Sequence, residues 1–332
     1  MKIHILPVIV GSAISFALPI SAQHTNTSAA VVAFTFKDII NNNDPTFNQE
    51  LGINDFGVIA GYFGSGAAGH PNKGYIVFAP YNTQSSFSNE NFPGSVQTQV
   101  TGLNTKSETP FAGTITVGFW SDTNNVNLVN NNFGFVNYGG NLIGVFINVN
   151  YPKTGTINGV RTNQLLGVNN ENIAVGFYVD TAGKTHGYTY DIALNSFSKN
   201  IDDPNGIGAT TAAGINDMNQ IVGFYTDGTG VTHGFFKKGK VFKTIDAAEA
   251  TATSLLGLNN FGEAVGFDID AEGAMHGIVC DVATGNCTQV DDPKGIGTTT
   301  FNGLNDRGQI VGFYVNGAGN TIGLLAKPIA TP

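Results

Sequence analysis

Apolar residues in this chain fall into short runs that recur at a steady interval, and the clearest is Ile221-Val-Gly-Phe-Tyr225. A strand covered on one face alternates apolar with polar residues. This run does not alternate, which predicts a strand buried on both faces. Gly214-Ile-Asn216 stands ahead of it, and Gly234-Phe235 opens the next apolar run behind it. These three anchors return six times. The first appears as Gly52-Ile-Asn54, Gly102-Leu-Asn104, Gly167-Val-Asn169, Gly214-Ile-Asn216, Gly257-Leu-Asn259 and Gly303-Leu-Asn305, at steps of 50, 65, 47, 43 and 46 residues. The second is Gly61-Tyr62, Gly118-Phe119, Gly176-Phe177, Gly223-Phe224, Gly266-Phe267 and Gly312-Phe313. The third is Gly74-Tyr75, Gly134-Phe135, Gly187-Tyr188, Gly234-Phe235, Gly277-Ile278 and Gly323-Leu324. That interval is the one expected of a propeller blade, and the anchors mark three of its strands, designated A, B and C.

The chain must reverse between A and B, and it supplies Asn54-Asp-Phe-Gly57, Asn259-Asn-Phe-Gly262 and Asn305-Asp-Arg-Gly308, with Asn172 and Asn219 in the glycine slot of the third and fourth repeats. Gly and Asn accept a left-handed backbone most readily, so a hairpin with a type I turn and a bulge is predicted, its acidic residue capping the turn. The glycine beside each strand B aromatic reads as room for a ring from the next blade. A fourth strand, D, ends in Asp202-Asp-Pro204, Asp291-Asp-Pro293, Asn150-Tyr-Pro152, Asn91-Phe-Pro93 and, degenerate, Asp246-Ala-Ala248. A sixth copy, Asn43-Asp-Pro45, precedes the first strand A behind the apolar run Val31 to Ile40, and none follows the last strand C. The N-terminal strand should therefore complete the last blade, closing the ring and removing its edges. The expected fold is all-β, a single six-bladed β-propeller of four-stranded antiparallel blades over residues 31–328. The second repeat is enlarged at Thr105 to Thr114, at Asn124 to Asn131 and at the following link, Tyr151 to Thr162. Such insertions are where an individual protein differs from its fold.

Residues 1–22 carry Lys2, an apolar run from Ile5 to Ile20 and the small pair Ser21-Ala22. This reads as a secretory signal peptide, too short for a membrane span, followed by a leader at 23–30. Residues 329–332 read as a short tail. The chain has 15 Lys and Arg against 24 Asp and Glu, a formal charge of −9, and charged residues are 12% of it. Nucleic acid and anionic lipid need clustered cations, so neither is expected as a partner. The two cysteines, Cys280 and Cys287, flank an obvious turn, and in an exported chain such a pair predicts a disulfide across a hairpin. A loop that short contributes roughly 2 to 3 kcal/mol in the chain-entropy account.

Gly-Ile-Asn-Asp-x-Gly-x-Ile-Val-Gly-Phe-Tyr, then Asp-x5-His-Gly-Phe, then Ile-Asp-x-Pro resembles the bacterial extracellular repeats named for a His-Ala-Phe tripeptide, the HAF repeat family. Here the tripeptide is His186-Gly-Tyr188, His233-Gly-Phe235 and His276-Gly-Ile278, while Lys73, Phe133 and Ile322 take the His position in the other repeats. The resemblance implies an exported, propeller-like protein. It implies no catalytic residue.

Three pairs stand out as candidate chemistry: Asp180 with His186, Asp227 with His233, and Asp270 with His276. A shared metal site would need them to converge, and strands about 4.8 Å apart carry equivalent strand C residues away from the axis and from one another. The pairs are read instead as hydrogen bonds that orient each B to C hairpin. The doubled aspartates Asp202-Asp203 and Asp291-Asp292 would suit acid–base work or Ca²⁺. Successive side chains on an extended strand point to opposite faces, which argues for turn capping before Pro. No motif of a known catalytic class is present. Strand direction places all these groups on one rim with the enlarged loops Gly64 to Lys73, Asp122 to Asn131 and Tyr151 to Thr162 and with Tyr151, read as an aromatic platform for a ligand, while the Thr105 to Thr114 insertion falls on the opposite rim. The expectation is a monomeric, secreted binding or surface-interaction protein for an extracellular glycan or protein, with no cofactor beyond Ca²⁺ at most. A carbohydrate-active lyase or hydrolase and a structural matrix role are the alternatives.

Overall fold

The computed structural model describes residues 33–329 apart from 82, 106–113, 124–129, 140–143 and 207. The expected signal peptide (1–22), the leader (23–30), residues 330–332 and nearly all of the insertion at 105–114 lie outside the described residues. A strand β1 (Phe34–Ile39) comes first. Blade 1 is β2 (Asn48–Ile53), β3 (Ile59–Phe63), β4 (Lys73–Val77) and β5 (Phe87–Asn89). Blade 2 is β6 (Gln97–Leu103), β7 (Ile115–Ser121), β8 (Phe133–Tyr138) and β9 (Val145–Asn148), after which β10 (Thr156–Ile157) and β11 (Val160–Arg161) form a small hairpin within the long link. Blade 3 is β12 (Asn163–Val168), β13 (Ile173–Val179), β14 (Thr185–Asp191) and β15 (Ser196–Phe197). Blade 4 is β16 (Thr210–Ile215), β17 (Ile221–Thr226), β18 (Thr232–Lys238) and β19 (Val241–Ile245). Blade 5 is β20 (Ala252–Leu258), β21 (Glu263–Ile269), β22 (Met275–Asp281) and β23 (Cys287–Gln289), and β24 (Thr300–Leu304), β25 (Ile310–Val315) and β26 (Thr321–Pro328) begin blade 6.

These strands make six four-stranded antiparallel sheets, a six-bladed β-propeller. Blade 6 is ordered β1-β26-β25-β24, so the N-terminal strand is its outermost strand, as the repeat count predicted. The pairing runs from Phe34 opposite Pro328 to Ile39 opposite Gly323. Two polar contacts fasten β1 sideways: Asp38 accepts from Lys294 at 2.7 Å and from the Tyr314 hydroxyl at 3.2 Å. The predicted disulfide joins β22 to β23, where Cys280 and Cys287 are direct cross-strand neighbours.

Each strand A carries a bulge just before its anchor glycine, for example between Ala212 and Gly214. The strand B glycine lies against it. A Cβ on Gly223 would stand 2.0 Å from the Thr211 carbonyl oxygen and 2.8 Å from the Phe235 ring of the same blade. The expectation that a ring from the next blade fills this space is corrected: the crowding is internal to the blade. It is the strand C glycine that meets the next blade, as Gly234 meets Leu255.

The anchor glycines of strand A close a ring about the axis. A Cβ on Gly52 would lie 3.0 Å from Gly102 Cα, one on Gly257 the same distance from Gly303 Cα, and one on Gly303 3.1 Å from Gly52 Cα. The anchor asparagines form a second ring. Each donates from Nδ2 to the main-chain carbonyl of the next: Asn54 to Asn104 (3.2 Å), Asn104 to Asn169 (3.2 Å), Asn169 to Asn216 (2.9 Å), Asn216 to Asn259 (3.1 Å), Asn259 to Asn305 (3.4 Å) and Asn305 to Asn54 (2.9 Å). The Oδ1 atom of each caps its own turn, as Asn216 does for Met218 and Gln220. Outside it runs a third ring, in which the next residue accepts from the main-chain N–H of the blade before: Asp217 from Asn170 at 2.8 Å, Asn260 from Asp217 at 2.9 Å, Asp306 from Asn260 at 2.9 Å and Asp55 from Asp306 at 2.9 Å. The acidic residue of the turn therefore links two blades and does not cap its own turn as expected. The glycine slot does adopt the left-handed backbone, with φ of 77° at Gly57, 62° at Asn172, 57° at Asn219 and 82° at Gly262.

Two outcomes follow. Removing residues up to 46 takes away β1 and exposes β26, and should give aggregation or a non-cooperative melt; a truncated monomer melting at the wild-type temperature would mean that blade 6 stands without it. Gly257→Val forces side-chain atoms into the axial ring and should cost about 3 kcal/mol, against at most ~0.5 kcal/mol for Gly317→Ala in open surroundings, both read by denaturant unfolding.

Candidate functional site

In an antiparallel blade the B to C turns and the D to A connections share one rim, and on blades 3, 4 and 5 that rim carries the same polar group three times. The B to C turn opens with an aspartate. One oxygen of Asp180 accepts the N–H groups of Ala182 and Lys184, shaping the turn, and the other lies 3.3 Å from His186 Nε2. Asp227 caps Thr229 and Val231 and faces His233 Nε2 at 3.5 Å. Asp270 caps Ala274 and faces His276 at 3.3 Å. Each predicted pair is thus brought together across its turn.

The imidazole has a second carboxylate on its other side, supplied by the end of strand D. His186 Nδ1 is 2.7 Å from Asp202, His233 Nδ1 is 2.8 Å from Asp246 and His276 Nδ1 is 2.7 Å from Asp291. Each histidine is therefore clamped between two aspartates. Asp246, not among the candidates named from the sequence, makes this contact although its motif lacks the second aspartate and the proline. In blade 1, where Lys73 takes the His position, His70 of the B to C loop instead lies 2.6 Å from Asp44 in the link before strand A.

The doubled aspartates part company, as alternation along a strand requires. Asp203 and Asp292 turn inward, cap Asn205 and Lys294, and keep one buried oxygen without a partner among the described residues. They and the clamp aspartates do not converge on one ion, and among the described residues no group of three or more His, Cys, Asp or Glu is placed to hold a metal. Tyr151 is a further correction. It is 6% exposed and stacks on Tyr178 with ring centroids 4.2 Å apart, its hydroxyl donating to Ser198, so it closes the seam between blades 2 and 3 and offers no ligand a platform. Phe92 packs on Trp120 in the same way at the seam before, 4.5 Å apart. The middle residue of the strand D signature is a seam residue because the chain crosses to the next blade there.

In blades 4 and 5 the clamp raises its histidine. Hydrogen bonding to Asp291 is the main cause that pushes His276 up to about 9, against the opposing effect of burial, with Asp270 assisting. For His233 burial works downward, but Asp246 and Asp227 together raise it. Asp180 and Asp270 are held below the ordinary carboxylate range: partial burial opposes this and is outweighed by turn N–H donors and by the histidines. Blade 5 differs in one respect. Asp268 stands opposite His276 where blades 3 and 4 have Tyr178 and Tyr225, and burial raises it.

His276 gains its partners on folding, so the stability it adds is complete below about 6.5, the unfolded value, and is lost as pH rises through about 9. Histidine NMR should show a midpoint near 9, and Asp291→Asn should lower it by roughly a unit or more. A wild-type midpoint near 6.5 would mean that the carboxylates do not hold the proton.

No family model and no curated protein matches this chain. Solved structures do. The AofleA structure from Arthrobotrys oligospora is similar at a TM-score of 0.51 and 11% identity, over 90% of each chain. A lectin of Aleuria aurantia in complex with Fucalpha1-6GlcNAc gives 0.49 and 9%, over 86% of this chain and 97% of that one. TolB from Acinetobacter baumannii gives 0.49 and 10%, over 82% of this chain and 64% of that one. At these identities the likeness is one of fold alone.

Proposed function

We propose that this chain is an exported binding protein that holds a repeating glycan, uncharged or amine-bearing, along the rim where the three clamps stand. The observation that carries the reading is the repetition itself: the same Asp-His-Asp group on three consecutive blades, at one rim. A polymer presents the same unit again and again, and sites that are weak singly add up once they are linked. The clamp carboxylates are part-exposed, Asp202 and Asp246 at 39% and 38% of the side chain, and they accept hydrogen bonds from hydroxyl or ammonium groups. Their orientation is fixed before any ligand arrives by the histidine and the turn N–H groups, which lowers the ordering cost of binding. Two carboxylates to one imidazole leave each clamp acidic, which disfavours anionic polymers. Export and membership of the HAF-type repeats belong to this reading, and the Cys280 to Cys287 disulfide agrees with an oxidising compartment.

Affinity electrophoresis of the purified protein through neutral, amine-bearing and anionic polysaccharides tests it, with product release scored in the same gels. Retardation is expected in one of the first two classes. The triple variant Asp202→Asn, Asp246→Asn, Asp291→Asn should lose at least tenfold in affinity at unchanged secondary structure, and each single variant roughly two- to fivefold. Full affinity in the triple variant, or retention by anionic polymers only, would overturn the assignment of this rim.

A further inference from the structure

Two glutamates are buried in seams of the ring, and among the described residues neither has an ion-pair partner. Glu50 is 0% exposed; its Oε1 accepts the Tyr75 hydroxyl at 2.6 Å, and its Oε2 has no partner among the described residues. It occupies the strand A position that holds Val100, Leu165, Ala212, Leu255 and Phe301 in the other blades. Its side chain reaches strand C of blade 6, where a Cβ on Gly323 would be 2.5 Å from Oε1. Glu90 is 2% exposed; its Oε1 accepts from the Thr116 hydroxyl and from Asn137 Nδ2, at 3.1 Å for the latter, and its Oε2 is likewise without a partner. It follows strand D of blade 1, at the position of Val149, Ile201, Ile245 and Val290, and its partners are on β7 and β8 of blade 2. One glutamate is thus in the seam between blades 6 and 1, the other in the seam between blades 1 and 2.

We propose that blade 1 is the releasable sector of the ring: both of its seams close over a buried glutamic acid that, unlike Asp203 and Asp292, accepts no main-chain N–H among the described residues, and giving up those two protons frees the blade from its neighbours. Ionising such a carboxyl while it is buried forfeits the solvation that bulk water would give it, a cost that keeping the proton avoids and that opening into solvent also relieves. Burial pushes Glu50 up to about 8, the Tyr75 hydrogen bond opposing it, and raises Glu90 against Thr116 and Asn137. The titratable groups facing Glu50 are the hydroxyls of Tyr75 on β4 and Tyr62 on β3, both raised by burial and so neutral through this range. Among the described residues only the neutral side chains of Thr116 and Asn137 bond to Glu90, and no Lys, Arg or His among them is a cause of either glutamate's shift. Folding raises these groups above their value in water. The closed seam is therefore most secure below about 4.5 and weakens tenfold per pH unit per glutamate as pH rises towards the folded value, about 8 for Glu50.

Native-state hydrogen exchange with mass spectrometry on the full chain reads this blade by blade, after correction for the intrinsic pH dependence of exchange. Protection of β2, β3 and β4 should fall at least a hundredfold between pH 5.5 and pH 7.5. Protection of β12 and β13, at the seam that Tyr151 closes on Tyr178 without a buried acid, should change less than tenfold. In Glu50→Gln with Glu90→Ile the fall in blade 1 should disappear. Equal falls in both regions, no fall in blade 1, or an undiminished fall in the double variant would each overturn the proposal. Should the double variant fail to fold, the wild-type comparison decides alone.

Discussion

Six inner strands converge on one axis only if nothing projects between them. The anchor glycines meet this condition by backbone-to-backbone approach, Gly52 on Gly102 and round to Gly303 on Gly52, leaving no room for a Cβ that does not push two blades apart. The asparagine two residues on then finds the next blade at a fixed distance. Its Nδ2 donates across the seam while its Oδ1 holds its own turn, so one side chain sets both the turn and the angle to the neighbour. Buried polar groups that are fully paired in this way tolerate few alternative geometries, and a closed cycle tolerates fewer still.

With the axis fixed, the outer parts of the blades are free to differ. Strand D is five residues long in β19 but two in β15, and its end crosses to the next blade at the rim that carries the clamps. The clamp histidine begins strand C, the first aspartate caps the turn before it and the second ends strand D. Three separate segments therefore meet at each imidazole, and the meeting holds the outer hairpin to the inner one. The same arrangement that stabilises a blade's corner also orients carboxylates towards solvent. Architecture and the proposed recognition would rest on the same residues, which is why nothing in their spacing alone separates the two roles.

Much of this was legible because period and turn chemistry are local. Strand B reads as doubly buried from Ile221 to Tyr225 alone, the left-handed slots at Gly57 and Asn219 follow from residue type, and ring closure by β1 follows from counting strand D signatures against strand A anchors. What could not be read has its partner far along the chain or in the main chain. The asparagine ring is a set of contacts to carbonyl groups 43 to 65 residues away, and 251 residues at the closing seam, and a carbonyl leaves no mark in a sequence. Tyr151 looked exposed because it heads a long link, yet the stack on Tyr178 buries it. Asp246 was overlooked because its motif seemed degenerate. Alignment of Ile245-Asp246 with Ile201-Asp202 was the available signal, and it marks the residue that matters.

The acidic groups of this chain fall into two sets that respond to pH in opposite directions. Turn aspartates such as Asp180, Asp270 and Asp281 accept main-chain N–H groups, are held low, and support the fold once they are ionised. Seam and inner carboxyls such as Glu50, Glu90, Asp203, Asp268 and Asp292 are raised by burial and support it while they keep their protons. The raised His233 and His276 act with the second set. Below the ordinary carboxylate range the first set is lost, and above it the second set begins to be lost, so the two meet in mildly acidic solution. The excess of acidic residues over basic ones then costs less in self-repulsion than the formal charge of −9 implies wherever a raised carboxyl such as Glu50 keeps its proton.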